Sequence, residues 1–338
     1  MSAAVPAARP EATAPETPIA RRRSVSVQQF LAFGALIALF AFFAVASSNF
    51  LSTSNVFGIL LAASVTGILA LGATFIIATG GIDLSVGTAM TLCSVMTAVF
   101  ATEAFLGLPM PLAVVLGVAF GALLGLINGL NVAVLGIPPF IATLAMMMAA
   151  AGLSLVISGA TPLYFTSVPG FGQIALGTLI PRVPNAVLIF LVLAVVAGVL
   201  LNKSLIGRYA LSIGSNEEAT RMSGINTRSW LIKIYVLAGV FTGIGGVIMA
   251  SRLNSAQPAL GLGYELEAIA AVVIGGTSLS GGRASVLGTI IGAILMATLN
   301  NGLQIMAIPQ EWQKVAVGVV ILVAVFADNV RRRRESRV

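Results

Sequence analysis

The sequence predicts an all-α fold, a polytopic membrane helix bundle of about ten transmembrane helices. Three observations lead to this prediction: 58% of the residues are hydrophobic, only 9% are charged, and the mean hydropathy is +1.04. So few polar groups could not cover the surface of a soluble fold of this size. The single cysteine lies in an apolar run and histidine is absent, which excludes disulfides, histidine-containing zinc sites and histidine proton relays.

Polar tails flank the apolar part of the chain. Residues 1–29 begin with a segment rich in alanine and proline that ends in three arginines, a composition typical of a disordered cytoplasmic tail. Residues 329–338 form a basic tail, and residues 30–328 form the membrane domain, with a cytoplasmic loop at 202–229. A basic cluster before an apolar run also occurs in signal peptides, but this apolar run is longer than most of theirs.

Apolar runs recur along this domain, each long enough for a membrane helix or for a helix broken within the membrane. They cover residues 30–47, 56–78, 86–101, 111–134, 139–158, 185–201, 230–250, 264–275, 285–306 and 313–328. Lysines and arginines cluster between residues 203 and 233 and in the C-terminal tail. Because basic residues favour the cytoplasmic side, ten spans with both termini in the cytoplasm satisfy both clusters.

Two copies of one short pattern lie between these runs: TGGIDLSVG at 79–87 and IGGTSLSGG at 274–282. Glycine pairs at membrane depth occur where helices cross closely or where a helix breaks beside a cavity lined by protein. The simpler interpretation is a tight turn with a helix cap from Asp83 and Ser85, or from Ser278 and Ser280. In the alternative, Asp83 and Ser85 line a pathway for a polyhydroxylated solute.

A second internal similarity joins LINGLNVAVLGIP at 126–138 to TLNNGLQIMAIP at 298–309. These segments lie five spans apart, which indicates an inverted repeat of two halves, whereas the glycine-pair copies lie six spans apart and would share one side. The two similarities therefore disagree, unless a segment near 79–101 is re-entrant or one similarity is due to chance. Several uncharged polar side chains here either bond to neighbouring helices or line the substrate pathway: Asn128, Asn131, Asn300, Asn301 and Gln304.

The cytoplasmic loop contains NEEATRMSGINT at 216–227. Glu218, Ala219 and Thr220, followed after three residues by Gly224, predict a short polar helix that ends at glycine. A helix without an apolar face either lies on the membrane surface or docks into another protein. The spacing matches the E-A-A-x-x-x-G pattern of permease subunits in ATP-binding-cassette (ABC) importers, with Thr220 in place of the second alanine.

GGIDLSVG, GSNEEATRMSGINT and SRLNSAQPALGLGYELEAIAAVVIGGTSLSGGRASVLGTIIGA resemble the ribose-type permease family of bacterial sugar importers, which belongs with the branched-chain amino-acid permeases. The similarity covers residues 30–328. It implies an inner-membrane bundle of about ten helices that works as a homodimer, and import of a monosaccharide, with a pentose such as ribose expected first. It also implies two partner proteins, a cytoplasmic ATPase that docks on the loop helix and a periplasmic sugar-binding protein.

The resemblance also implies roles for individual residues. ATPase coupling is expected at Glu218, Ala219, Thr220, Arg221 and Gly224. For Arg221, which would pair with an acidic groove of the ATPase, a solvated or lipid-headgroup role is the alternative. Three charged residues near the predicted outer mouth are expected to contact the binding protein, with ordinary interfacial charge as the alternative: Arg252, Glu265 and Glu267.

The sequence also indicates what this chain lacks. It contains no Walker A pattern, so ATP and magnesium are expected on the partner ATPase and no cofactor on this chain. Without a nucleophile–base pair or cofactor motif, an enzyme is not expected. The arginines are placed as orientation signals beside membrane lipid, not as a nucleic-acid site. An ion-coupled secondary carrier that uses Asp83 is the alternative function.

Overall fold

The computed structural model describes residues 24–335, which form thirteen helices and one two-stranded ladder. The helices are α1 (Ser24–Ala46), α2 (Thr53–Ala78), α3 (Val86–Ala101), α4 (Met110–Ala133), α5 (Pro139–Ser158), α6 (Gln173–Leu176), α7 (Asn185–Lys203), α8 (Leu205–Ser215), α9 (Glu217–Met222), α10 (Thr227–Leu253), α11 (Tyr264–Ile274), α12 (Val286–Ile305) and α13 (Gln310–Glu335). The strands are β1 (Leu163–Tyr164) and β2 (Ser255–Ala256), which pair antiparallel.

The prediction of an all-α polytopic membrane protein is confirmed. Within the described residues, seven helices are long and apolar enough to cross a membrane, namely α1, α2, α4, α5, α7, α10 and α12. The other three predicted spans correspond to α3, α11 and α13, and α3 and α11 have only 16 and 11 residues. The predicted number of ten spans is therefore not confirmed, although every predicted apolar run lies mainly within a helix.

Both predicted tails contain helical residues, although the boundaries of the membrane domain stay a prediction. α1 begins at Ser24, and α13 continues to Glu335 through most of the basic C-terminal segment. Extending an existing helix costs little once it is nucleated, and arginine and glutamate have high helix propensity. The remaining tail residues, 1–23 and 336–338, lie outside the described residues.

Helices α4 and α10 cross closely at a point where glycines face glycines. A Cβ on Gly121 of α4 would lie 2.5 Å from Gly239 O and 2.7 Å from Gly243 Cα of α10. Gly125 faces the backbone of Tyr235 in the same way, one turn further along α4. Small residues let two membrane helices approach at backbone distance, and this approach brings Tyr235 beside the segment that follows α2.

Two features were not predicted from the sequence. The two-residue strands β1 and β2 join the segment after α5 to the end of α10. Near this ladder, Ser251 Oγ donates to Phe171 O at 2.7 Å and accepts from Ala175 N at 2.9 Å. On the other side of the bundle, α8 occupies part of the loop predicted to hold one short helix.

Candidate functional site

A break of seven residues separates α2 from α3. The chain turns at Gly80, whose φ of +83° belongs to the left-handed region that glycine adopts without strain. The turn is stabilised by Asp83, whose Oδ1 accepts a hydrogen bond from Ser85 N at 2.7 Å, and by Thr143 of α5, whose Oγ1 accepts from Leu84 N at 3.1 Å. Five of the seven backbone N–H groups of the break, those of residues 79–81, 84 and 85, thus have hydrogen-bond partners within the protein.

A buried polar cluster forms around this break. Ser85 Oγ donates to Asp83 Oδ1 at 2.6 Å and accepts from Asn128 Nδ2 of α4 at 3.0 Å. These three residues are 7%, 2% and 2% exposed, in the order Asp83, Ser85, Asn128. Among the described residues, Asn128 Oδ1 and the Tyr235 hydroxyl have no hydrogen-bond partner although both atoms are buried. The structure thus brings together three of the predicted pathway residues and adds Tyr235, which the sequence analysis missed.

Of the predicted helix caps, all of which lie within the described residues, only Asp83 makes a hydrogen bond of the capping type, since its Oδ1 accepts from Ser85 N. Ser85 is the N-cap residue of α3 but makes no capping hydrogen bond, because its hydroxyl is engaged by Asp83 and Asn128. α12 is capped by Ser285, which accepts from Gly288 N at 3.0 Å, and not by Ser278 or Ser280. The segments between α2 and α3 and between α11 and α12 are therefore longer than a tight turn, and their side chains form hydrogen bonds to other parts of the bundle.

The N-terminal ends of the two short helices α3 and α11 meet inside the bundle. Gly87 of α3 contacts Gly261, which lies just before α11, at backbone distance. Glu265, in the first turn of α11, accepts from Gly263 N at 3.0 Å through Oε1. Its Oε2 lies at Gly87, 2.5 Å from where a Cβ would be, and has no hydrogen-bond partner among the described residues.

The carboxyl group of Glu265 lies close to the N-termini of both α3 and α11. A helix N-terminus carries a partial positive charge, and the carboxyl group of Glu265 lies between two such N-termini. The residue is 6% exposed. Contact between Glu265 and a binding protein would require this arrangement to open.

A second polar cluster joins α2, α11 and α12. Glu267 accepts from Asn300 Nδ2 at 2.9 Å and from Thr66 Oγ1 at 3.3 Å. Asn55 and Asn301 exchange two amide hydrogen bonds of 3.0 and 2.9 Å. Of the other residues considered for the pathway and for docking, Asn131 and Arg252 are half-buried and Gln304 is exposed.

The structure places the segments of the two internal similarities as the span count predicted, so only the Asn segments fit an inverted repeat. Asn128 bonds beyond the C-terminal end of α2, whereas Asn301 bonds to Asn55 at its start, and these ends are about 39 Å apart for 26 residues. The two copies of the glycine-pair pattern meet on one side, where Gly282 N donates to Ala78 O at 3.0 Å and Gly80 lies next to Ser280. The similar Asn segments thus lie at opposite ends of the bundle, while the glycine pairs share one end.

The short polar helix predicted in the loop is confirmed as α9. Asn216 caps its start by accepting from Ala219 N at 2.9 Å, and Gly224 follows its end with a φ of +83°. Glu218 and Arg221 lie 3.9 Å apart, with side chains 72% and 68% exposed, so this ion pair adds little stability.

The residue that departs from the E-A-A pattern, Thr220, faces inward. It is 7% exposed, and its Oγ1 donates to Asn216 O at 2.8 Å. The exposed face of α9 is therefore formed by its other residues, including Glu218, Ala219 and Arg221, which leaves this face free to meet a partner.

Comparisons with known proteins agree with these features. The family described as "Branched-chain amino acid transport system / permease component" matches residues 55–325. The ribose import permease protein RbsC of Escherichia coli (strain K12) is 40% identical over 88% of this chain and 92% of its own length. RbsC of Bacillus subtilis (strain 168) is 41% identical over 90% and 93%. The xylose transport system permease protein XylH of Escherichia coli (strain K12) is 33% identical over 92% and 94%.

No solved structure matches this chain significantly. The family match spans most of the membrane domain and includes the broken helices, both Asn segments and α9. The chain therefore belongs to the family of branched-chain amino acid transport system permease components, and it is a multi-pass membrane permease.

Proposed function

We propose that this permease forms the pathway by which an ABC importer takes a monosaccharide, ribose first, across the bacterial inner membrane. The observation that carries the proposal is the identity of 40–41% to two ribose import permeases over about nine-tenths of the chain. The xylose permease, another pentose transporter by name, is also similar but less so. An ion-coupled carrier that uses Asp83 is not favoured, because the family consists of permease components of transport systems.

The exposed face of α9 supports docking of a separate ATPase. Asn216 caps the start of α9, and Gly224 follows its end. The exposed side chains of α9 include Glu218, Ala219 and Arg221. A small exposed residue such as Ala219 permits close approach, and the flanking charges can select a complementary groove. In this proposal the ATPase holds ATP and magnesium, and this chain hydrolyses nothing itself and binds no cofactor.

The buried clusters support a pathway for an uncharged polyol. Asp83, Ser85 and Asn128 present hydroxyl, amide and carboxylate groups beside the break, as sugar hydroxyls require. We expect Asn131, Asn301 and Gln304 to contribute further along the pathway.

The proposed assembly contains two copies of this chain, embedded in lipid with all termini in the cytoplasm. A periplasmic binding protein delivers the sugar at the end of α10, where Arg252 is half-buried. Glu265 and Glu267 support that docking only if the bundle opens there.

The test is ATP-dependent uptake of labelled monosaccharides by proteoliposomes that contain this chain, its ATPase and its binding protein. Charge reversal by Glu218→Arg and helix disruption by Gly224→Pro should abolish uptake and co-purification of the ATPase while leaving membrane insertion intact. Glu103→Arg is the matched control, because Glu103 is exposed in the α3–α4 turn, remote from α9 in sequence. Full uptake by both α9 variants would refute coupling at α9, and no uptake of any sugar by the wild type would refute the substrate class.

A further inference from the structure

A cavity of about 710 Å³ lies between α9 and the break after α2. Glu217 and Arg221 of α9 line one side, and Gly80, Gly81 and Tyr235 line the other. Binding sites for small molecules commonly have volumes of about 300–1,000 Å³, so a monosaccharide fits with space for water.

Tyr235 supplies a polar group that the protein leaves unused. The residue is 1% exposed, and among the described residues its hydroxyl has no hydrogen-bond partner. The hydroxyl lies next to Gly81, 3.1 Å from where a Cβ on that glycine would be. A buried hydroxyl without a partner is costly, so a molecule that reaches this group from the cavity would gain a hydrogen bond that the protein itself does not supply.

The charged residues of the cavity lie on one side of it. The charged lining residues, Glu217, Arg221 and Arg228, come from α9 and from the first turn of α10. The lining from the break consists of Thr79 and two glycines, which carry no charge. A polyol can bond to hydroxyl and backbone groups there without a fixed counter-charge.

We propose that this cavity is the release subsite for the transported sugar, with the Tyr235 hydroxyl as its hydrogen-bonding contact. The inference rests on the proposed function, because it assumes that a sugar crosses the bundle. The cavity is lined by α9, which is also the proposed docking helix for the ATPase. A movement of the docked ATPase would therefore be transmitted by α9 to the sugar in this subsite.

Inhibition of uptake by sugar on the release side tests this subsite. Proteoliposomes with the complete importer contain ATP and increasing unlabelled ribose, and labelled ribose with binding protein is added outside. Lumenal ribose should slow the initial uptake rate of the wild type. Tyr235→Phe, which removes one oxygen, should need about 3–10 times more lumenal ribose for the same inhibition. Its half-saturation for loaded binding protein outside should be unchanged.

Tyr209→Phe is the matched control, since it removes a hydroxyl from a ring that packs on Trp230 and is not part of the cavity lining. It should show the inhibition curve of the wild type. Identical curves for Tyr235→Phe and the wild type would overturn the subsite while uptake itself still supports the proposed function. Wild-type uptake that lumenal ribose never inhibits would overturn it as well. Absence of wild-type uptake would instead refute the proposed function.

Discussion

Adding one methyl group at Gly121 tests the close crossing of α4 and α10. The new Cβ would lie 2.5 Å from Gly239 O and 2.7 Å from both Cα and N of Gly243. All three are backbone atoms, which cannot move aside by rotating a side chain. Ordinary contacts of carbon are about 3.5–4.0 Å, so α10 must shift by roughly 1 Å. Overpacking of this kind costs about 1–3 kcal/mol.

The assay compares Gly121→Ala with Gly152→Ala by thermal unfolding of the purified protein in detergent. Gly152 is also helical, and a Cβ there would meet nothing within 4 Å. Both variants gain the same helix propensity, about 1 kcal/mol, so their difference isolates the clash. At about 2–4 °C per kcal/mol, Gly121→Ala should unfold ~2–12 °C below the control. Unfolding of Gly121→Ala at or above the temperature of Gly152→Ala would refute the crossing.

Two further predictions concern the polar groups inside the bundle. Glu265→Gln replaces the carboxyl group between two helix N-termini by an uncharged amide, which should lower the free energy of unfolding by about 0.6–2 kcal/mol. Glu103→Gln at an exposed turn should change it by less than about 0.5 kcal/mol. If denaturant unfolding gave the same change in free energy for Glu265→Gln and Glu103→Gln, the placement of Glu265 between two helix N-termini would be contradicted. A double-mutant cycle of Asn55→Ala and Asn301→Ala should give a coupling of about 0.6–1.7 kcal/mol, and strictly additive effects would show that the paired amides do not interact.

The helices that cross the bundle could be predicted because each depends on a local property. An apolar run of sufficient length has few alternatives to a helix in lipid, so the segments of α2, α4, α5 and α10 follow from composition alone. α9 was predicted for a similar reason, since its polar residues and the glycine at 224 form a local stop signal.

The contacts that make the site could not be predicted, because they join residues far apart in the chain. The residues that flank Tyr235 in the sequence do not indicate that its hydroxyl lies next to Gly81, about 150 residues earlier in the chain. Glu265 looks like an interfacial charge until the meeting of α3 and α11 encloses it. Span counting predicted that the two glycine-pair copies share one side, but not that Gly80 and Gly281 lie next to each other.

The central claim is that this chain is the permease of an ATP-driven sugar importer. Sugar uptake measured with ATP present and the proton gradient removed tests it most directly. Proteoliposomes with this chain, its ATPase and its binding protein are loaded with ATP, given labelled ribose, and treated with a protonophore that collapses the proton gradient. The account predicts that uptake continues with ATP alone and stops when the ATPase is left out. Uptake that persists without the ATPase and stops with the protonophore would contradict it, and would make the buried carboxylate of Asp83 the coupling group of a different kind of carrier.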